Sequence, residues 1–201
     1  LKRDRVVVLA AIAQDGLALA YVDQPLKDER SVVMAAVVRN CWALAVADRK
    51  WACDRDVVLA AVAQDGGACM FADVSVCDDA LLRMAVATNG LALRYAHDDL
   101  KEHEIALAAV RQNGLALPYV RYQNIDFVFA AIAQSGLAIQ HTSEEFRAYS
   151  EVVLPAVTQN GRALRYADQS LRRDRDIVRA AVTQNGRALE YADDLRRDRD
   201  I

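Results

Sequence analysis

The sequence predicts an all-α fold: an α-solenoid, a superhelical stack of about eight two-helix repeats of 22–25 residues. Three observations predict it. The ten-residue stretch from Val7 to Gly16 recurs as Val57 to Gly66, Ile105 to Gly114, Phe127 to Gly136, Val152 to Gly161 and Ile177 to Gly186, with weaker copies from Val32 to Cys41 and Leu81 to Gly90. The starts near 7, 32, 57, 81, 105, 127, 152 and 177 are spaced as repeat units are. Alanine supplies 37 of 201 residues against 8 Gly and 3 Pro, a balance that favours helix over strand. A unit this short cannot bury its apolar face alone, so neighbours must stack to form the core.

Each unit has the same order of elements. An apolar anchor comes first, at Leu1, Leu26, Trp51, Val76, Leu100, Tyr122, Phe146, Leu171 and Leu195. A capping residue follows three positions before the apolar run, at Asp4, Glu29, Asp54, Asp78, Glu102, Asn124, Asp174 and Asp198; Tyr149 breaks the pattern. Most of these accept a hydrogen bond from a free first-turn N–H, and the carboxylates suit the positive end of the helix dipole. The run of the type Val-Val-Leu-Ala-Ala-Val then gives a first helix of about ten residues. Its paired alanines, Ala10-Ala11, Ala60-Ala61, Ala108-Ala109 and Ala180-Ala181, predict close approach of neighbouring helices. The Asn/Asp-Gly pair that follows is expected to end the helix, with Gly in the left-handed conformation.

The second element, such as Leu17-Ala18-Leu19-Ala20-Tyr21 or Leu91-Ala92-Leu93-Arg94-Tyr95, reads as a helix of about two turns. A stack of β-hairpins is the competing reading, because Asp-Gly or Asn-Gly between apolar runs is also a hairpin signal. The alanine pairs, acidic caps and an aromatic content of 6% weigh against it. Pro118 is expected in the first turn of its second helix, and Pro155 predicts a local kink or a late helix start.

The residues Asp54 to Gly66, together with Leu81 to Ala96 and Ile177 to Ala192, resemble the tandem helical repeats of the family called domain of unknown function 4116. Units of that family read D-x-x-V-V-L-A-A-V-x-Q-N-G-x-A-L-x-Y-A. The resemblance covers essentially the whole chain. It implies a helical repeat array and no assigned activity. Cys41 in place of Gly, Ala80-Leu81-Leu82-Arg83-Met84 in place of the usual run, and the shortened link from Arg121 to Asp126 depart from the pattern.

The eight units leave no room for another domain, so residues 1–201 read as one array. Leu1 to Asp4 matches the anchor and cap of a unit, and Ile201 begins a ninth run, so the array reads as part of a longer repeat protein. A net charge of -3 argues against a general nucleic-acid or membrane-surface binder. No apolar run approaches the ~18–20 residues that span a membrane. Cys41, Cys53, Cys69 and Cys77 lack CxxC spacing and read as free buried thiols in a reducing compartment, cytoplasm or organelle interior.

Several rows of residues invite a chemical reading. Gln14, Gln64, Gln112, Gln134, Gln159 and Gln184 precede the helix-ending pair and are expected to bond backbone in their own or a neighbouring unit. Tyr21, Phe71, Tyr95, Tyr119, Tyr166 and Tyr191, with Val46 and His141 at the same place in their units, are expected in the core. His97 and His103 sit among acidic residues, with no spacing typical of a metal site, and read as solvated. The links 171–176 and 195–200 alternate in sign and read as caps with local ion pairs. No catalytic, cofactor-binding or metal-binding set is predicted, and a small-molecule substrate is not expected. Two positions vary while the frame does not: the residue after the Gly and the residue before the Tyr. They supply the candidate partner-binding residues Trp42, Met70, Arg94, Gln140, Arg162, Arg165, Arg187 and Glu190. The expected function is a non-catalytic scaffold that binds a protein partner or serves as a structural subunit of an assembly. The alternative is an array that binds single-stranded RNA.

Overall fold

The computed structural model describes residues 1–193; the anchor Leu195, the cap Asp198, the link 195–200 and the run begun at Ile201 lie outside the described residues. Every unit opens with one long helix: α1 Arg5–Gln14, α2 Arg30–Arg39, α3 Arg55–Val62, α4 Asp79–Thr88, α5 His103–Gln112, α6 Ile125–Gln134, α7 Ser150–Gln159 and α8 Arg175–Gln184. A six-residue 3₁₀ helix follows each one. No strand occurs among the described residues, which removes the hairpin reading. Chain contacts divide the protein into two units, Leu1–Gln112 and Asn113–Ile201, each a stack of these helix pairs.

The expected caps form at five helices. The side chains of Asp4, Asp54, Asp78, Asn124 and Asp174 accept first-turn N–H groups. Glu29 makes no such bond and instead takes Arg5 at 3.2 Å, while Glu102 lies 3.6 Å from Arg83. Tyr149 caps nothing with its side chain, yet α7 starts at Ser150, two residues before Val152, in register with the other copies. Pro155 therefore causes no late start. Its ring is exposed, so the Glu151 carbonyl that loses an intrahelical donor is open to water. Pro118 also departs from expectation, lying fifth in its 3₁₀ helix Gly114–Tyr119 rather than in the first turn.

From α2 to α7 the core is built from one quartet per helix, two adjacent residues and the two that follow a turn later; α1 buries only Val8 and Ile12, and α8 buries Ile177, Val178 and Ala181. In α2 the quartet is Val32, Val33, Ala36 and Val37, and in α5 it is Ile105, Ala106, Ala109 and Val110. Only the second alanine of a pair enters it: Ala61, Ala109 and Ala181 are buried, whereas Ala10 and Ala108 are exposed. The anchors sit on a third short helical segment in most units, at Gln24–Lys27, Arg49–Cys53, Val74–Val76, Asp98–Leu100, Glu144–Arg147 and Leu171–Arg173. The repeat is thus a helix pair plus one supporting turn. The shortened link at Arg121 to Asp126 has no such turn, and its anchor Tyr122 is exposed. There Gln123 bridges instead, donating to the His141 carbonyl and accepting from Ser143 N–H, both at 2.9 Å.

The glycines serve a different purpose from the one expected. The residue before each six-residue 3₁₀ helix is extended (Asp15 at φ -146°, ψ 117°), and the Gly that follows it has no left-handed φ. What it supplies is missing bulk. A Cβ on Gly16, Gly66, Gly90, Gly136 or Gly161 would drive into the carbonyl oxygen of Ala36, Ala85, Ala109, Ala156 or Ala181 on the next long helix. At Gly114 the same Cβ would lie 2.9 Å from the Ala131 oxygen. Backbone meets backbone between repeats. The helix packed against Cys41, the one residue with a side chain at this place, is α3, and it ends early at Val62.

The glutamines fasten that contact. Gln112 accepts from Gly90 N–H at 2.6 Å and donates to the Thr88 carbonyl at 3.2 Å. Gln159 accepts from Gly136 N–H and donates to Ala133, and Gln184 accepts from Gly161 N–H at 2.6 Å. Gln64 donates to the Val37 carbonyl at 2.6 Å. These are backbone groups at helix ends that have no partner within their own helix. Outside the core a second ladder joins neighbours in the first unit: Arg30 bonds Asp54 and Asp56 at 2.7 Å, and Arg55 meets Asp78 at 2.9 Å. These pairs run between repeats, while Lys101 meets Asp98 within one link at 2.9 Å; in the link 171–176, Asp176 makes the expected local pair with Arg179 at 2.9 Å and Arg172 reaches Asp193 in the next repeat at 3.4 Å.

Candidate functional site

The residue that caps each six-residue 3₁₀ helix also closes the long helix before it, except at α3, where Ala63 ends the helix and Asp65 caps the 3₁₀ helix. The side chains of Asp15, Asn40, Asp65, Asn89, Asn113, Asn160 and Asn185 accept the N–H two residues on, at 2.8–3.1 Å. Ser135 makes no such bond. A 3₁₀ helix has three residues per turn, so residues three apart eclipse one another. In the six inner short helices the third and fourth positions are buried, as at Ala43-Leu44, Ala92-Leu93, Ala116-Leu117 and Ala163-Leu164, while Ala18 is half-buried and Leu189 exposed. The second and fifth positions then share the opposite face. Those are the two positions that vary between repeats.

The short helices lie side by side. In the first unit Gly16–Tyr21, Cys41–Val46, Gly66–Phe71 and Gly90–Tyr95 form one row, and in the second Gly114–Tyr119, Gly136–His141, Gly161–Tyr166 and Gly186–Tyr191 form another. Each row presents a strip of second and fifth positions. The first strip carries Trp42, Met70 and Arg94; the second carries Gln140, Arg162, Arg165, Arg187 and Glu190.

The two strips differ in chemistry. On the first, Trp42 is 42% exposed and Met70 43% exposed. The Trp42 indole stands edge-on to Phe71, ring centres 5.6 Å apart and planes at 81°, which fixes its orientation. Arg94 lies over the Tyr95 ring at 5.2 Å. On the second strip three arginines dominate. Arg165 spans two rings, 5.0 Å from Tyr166 and 5.8 Å from Tyr191. The Tyr166 hydroxyl donates to Gln140 Oε1 at 3.1 Å. Beneath it, Arg147 donates to the carbonyls of Gln140 and Thr142 at 2.9 and 2.7 Å. Burial, with Arg147 close by, holds the His141 imidazole below its ordinary range.

The aromatic row corrects the expectation of a core position. Tyr95 and Tyr21 are exposed, the latter at 73%, and Phe71, Tyr119, Tyr166 and Tyr191 are half-buried. The sixth position of a 3₁₀ helix lies beside the buried third, at the edge of the strip. The rings therefore flank the variable positions. The cysteines are free, but only Cys41 and Cys69 are buried; Cys53 is exposed and Cys77 half-buried. Burial pushes the Cys69 thiol up to about 12. His97 Nδ1 lies 3.3 Å from Asp99, and no His, Cys, Asp and Glu group among the described residues is arranged to hold a metal ion. Phe71, Gln123 and Arg147 support the strips without having been singled out in the sequence. Phe71 belongs to a periodic row that had been assigned to the core, Gln123 recurs in no other unit, and Arg147 holds the position after the anchor that is also basic at Lys27, Lys101 and Arg172; Lys27 likewise donates to the Ala20 carbonyl at 3.0 Å.

No helix among the described residues is long and apolar enough to cross a membrane. No curated protein and no solved structure matches the chain. The model of the family described as a domain of unknown function (DUF4116) matches three times in tandem, over residues 81–125, 124–172 and 149–196, more than half of the chain, and the chain belongs to that family.

Proposed function

We propose that the chain is a non-catalytic helical-repeat scaffold whose 3₁₀ strips bind a protein partner. One observation carries this reading: the residues that change from repeat to repeat are those on the outward face of the 3₁₀ rows, while the inward face keeps small and aliphatic side chains. A rigid frame with a rewritable surface is what recognition by a repeat array requires. Trp42 and Met70 supply exposed apolar area beside Phe71, and the arginines of the second strip supply planar donors. Trp and Arg are the residue types that dominate binding hot spots. The role is structural, with affinity coming from the strips and geometry from the buried Ala, Leu and Gly frame.

A second reading has a specific observation in its favour. Half-exposed Tyr166 and Tyr191 under Arg165, with Arg162 and Arg187 nearby in the row, is a pairing that stacks bases of single-stranded RNA. The experiment compares the wild-type chain with Trp42→Ala/Met70→Ser and Arg162→Ala/Arg187→Ala variants as bait, with elution by steps of salt. A protein retained by the wild type, and released by either double substitution without a change in thermal melt, supports the scaffold. Capture of RNA alone, lost steeply as salt rises, sinks it and promotes the RNA reading.

A further inference from the structure

In the second unit the outward strip resolves into two parallel lines, because the second and fifth residues of a 3₁₀ helix eclipse one another about 6 Å apart along its axis. The line of second positions reads Leu115, Leu137, Arg162, Arg187. It is apolar over two repeats and basic over the next two. The same line in the first unit, Leu17, Trp42, Gly67 and Leu91, carries no charge. Arg162 is exposed although a short helix lies on either side of it, so its exposure belongs to its place in the repeat and not to the end of the described chain. Neither the Arg162 nor the Arg187 guanidinium meets a carboxylate or any other acceptor among the described residues, in contrast to Arg30 and Arg55 on the long helices. The adjoining line of fifth positions adds Arg165 and one acid, Glu190.

A row of donors runs beside the second-position line. Asn113, Asn160 and Asn185 each use Oδ1 to accept the N–H of the second-position residue, which points Nδ2 away from that N–H. Those three Nδ2 groups donate to nothing among the described residues, whereas Asn89 of the first unit donates to Asp65 at 3.0 Å. The three asparagines are half-buried, each next to an outward side chain of the line. Amide donors placed in this way suit an extended main chain with free carbonyls.

We propose that this line binds an extended acidic segment of a protein partner, with apolar residues on Leu115 and Leu137 and carboxylates on Arg162 and Arg187. The proposal rests on the scaffold reading and names the chemistry of the partner at the second strip. Guanidinium groups with no carboxylate of their own set the charge of the occupant, since they pair best with planar anions. The spacing sets its conformation. Packed helices stand about 8–10 Å apart, and a polyproline II segment repeats one face every three residues, about 9 Å. The recognised pattern is therefore two apolar residues and then two acidic ones, each three residues from the last. Such a segment has no internal hydrogen bonds, so its carbonyls accept from the asparagine amides.

Binding of a fluorescent synthetic peptide to the whole chain tests this. The peptide carries Leu at its first and fourth positions and Glu at its seventh and tenth, with Pro and Ser between. One control replaces both Glu by Lys, and another shuffles the order. The wild-type chain should bind the Glu peptide several-fold more tightly than either control. Arg162→Ala/Arg187→Ala should weaken binding about tenfold, the size expected of two exposed ion pairs. Arg162→Glu/Arg187→Glu should reverse the preference, so that the Lys peptide binds more tightly. Both positions are exposed, and the thermal melts should stay unchanged. Trp42→Ala/Met70→Ser, on the first strip, should leave the peptide affinity as it is. Equal binding of the Glu and Lys peptides overturns the proposal, as does a preference that survives Arg162→Glu/Arg187→Glu, or no binding at millimolar peptide. In any of these cases, a protein captured by the bait and lost with Trp42→Ala/Met70→Ser leaves the scaffold reading standing. Capture of RNA alone removes both.

Discussion

Gly90→Ala and Gly186→Ala place the same methyl at equivalent positions of two repeats, and their effects on stability should have opposite signs. In Gly90→Ala the new Cβ runs into the Ala109 carbonyl oxygen, with the Gln112 amide oxygen 2.9 Å away. Either the two repeats part or the long helix shifts. Overpacking of this kind costs about 1–3 kcal/mol. Displacing Gln112 also breaks its bond to Gly90 N–H, another ~1 kcal/mol. Against this, Ala in place of Gly reduces the freedom of the unfolded chain and returns about 0.5–1 kcal/mol. The net expectation is a loss of about 1–3 kcal/mol by the same reckoning. At Gly186 nothing among the described residues stands within 4 Å of the new Cβ and the backbone is not left-handed, so only the favourable term remains. That substitution should stabilise by up to about 0.5–1 kcal/mol. Gly114→Ala should fall between, since its Cβ would lie 2.9 Å from the Ala131 oxygen. Urea denaturation of each variant gives the ranking. An array of repeats need not unfold in one step, so amide exchange in the flanking helices should accompany it. If Gly186→Ala is as damaging as Gly90→Ala, the glycines are there for backbone conformation, and the argument from close approach is wrong.

Further outcomes follow from the same contacts. Gln112→Leu leaves Gly90 N–H without its acceptor and should cost about 1–2 kcal/mol, seen as faster exchange of the Gly90 amide. The Arg30 guanidinium, aided by the Val57 and Asp56 N–H groups, holds the Asp54 carboxyl below its ordinary value of 3.8. The folded value is depressed, so the contribution is full above 3.8 and is lost as pH falls through the folded value. Asp54→Asn should therefore flatten the fall in melting temperature below that pH; an unchanged acid limb would show that the pair adds nothing. With a thiol reagent near neutral pH, Cys53 should label within the native chain and Cys69, buried and with its thiol pushed up to about 12, only on unfolding, as mapped by peptide mass. Trp42→Ala removes the edge contact to Phe71 and should cost about 0.5–1.5 kcal/mol at most, leaving the helix content intact by circular dichroism.

The period, the long helices and five of the caps were legible in the sequence because each depends on residues within one turn of one another. Asp54 caps Val57 three positions on, and the Val-Val-Leu-Ala-Ala pattern presents its own buried face. The reason for each glycine was not legible in this way. What forbids a side chain at Gly66 is the carbonyl of Ala85, a repeat further along, and a local reading supplies a backbone-conformation argument instead. Four of the six glutamines, Gln64, Gln112, Gln159 and Gln184, bond backbone as expected, whereas Gln14 and Gln134 make no side-chain hydrogen bond among the described residues; the identity of the acceptor and donor groups came only with the stacking. The aromatic row was misplaced for a geometric reason. An α-helical reading of Leu-Ala-Leu-x-Tyr turns Tyr toward the core, whereas at three residues per turn it stays at the rim, next to Arg94 or Arg165. The variable positions were visible as scatter on a periodic frame. That they share one face followed only from the 3₁₀ geometry.

The contact of glycine backbone with alanine carbonyl has a consequence for how such a chain can change over time. Distance between neighbours is set by main-chain atoms, which every sequence shares, and not by the size of a side chain. Mutations on the outward face leave that spacing untouched, and a whole unit can be duplicated or lost without any new joint having to be invented. The surface text can drift letter by letter while the binding of the volume stays the same.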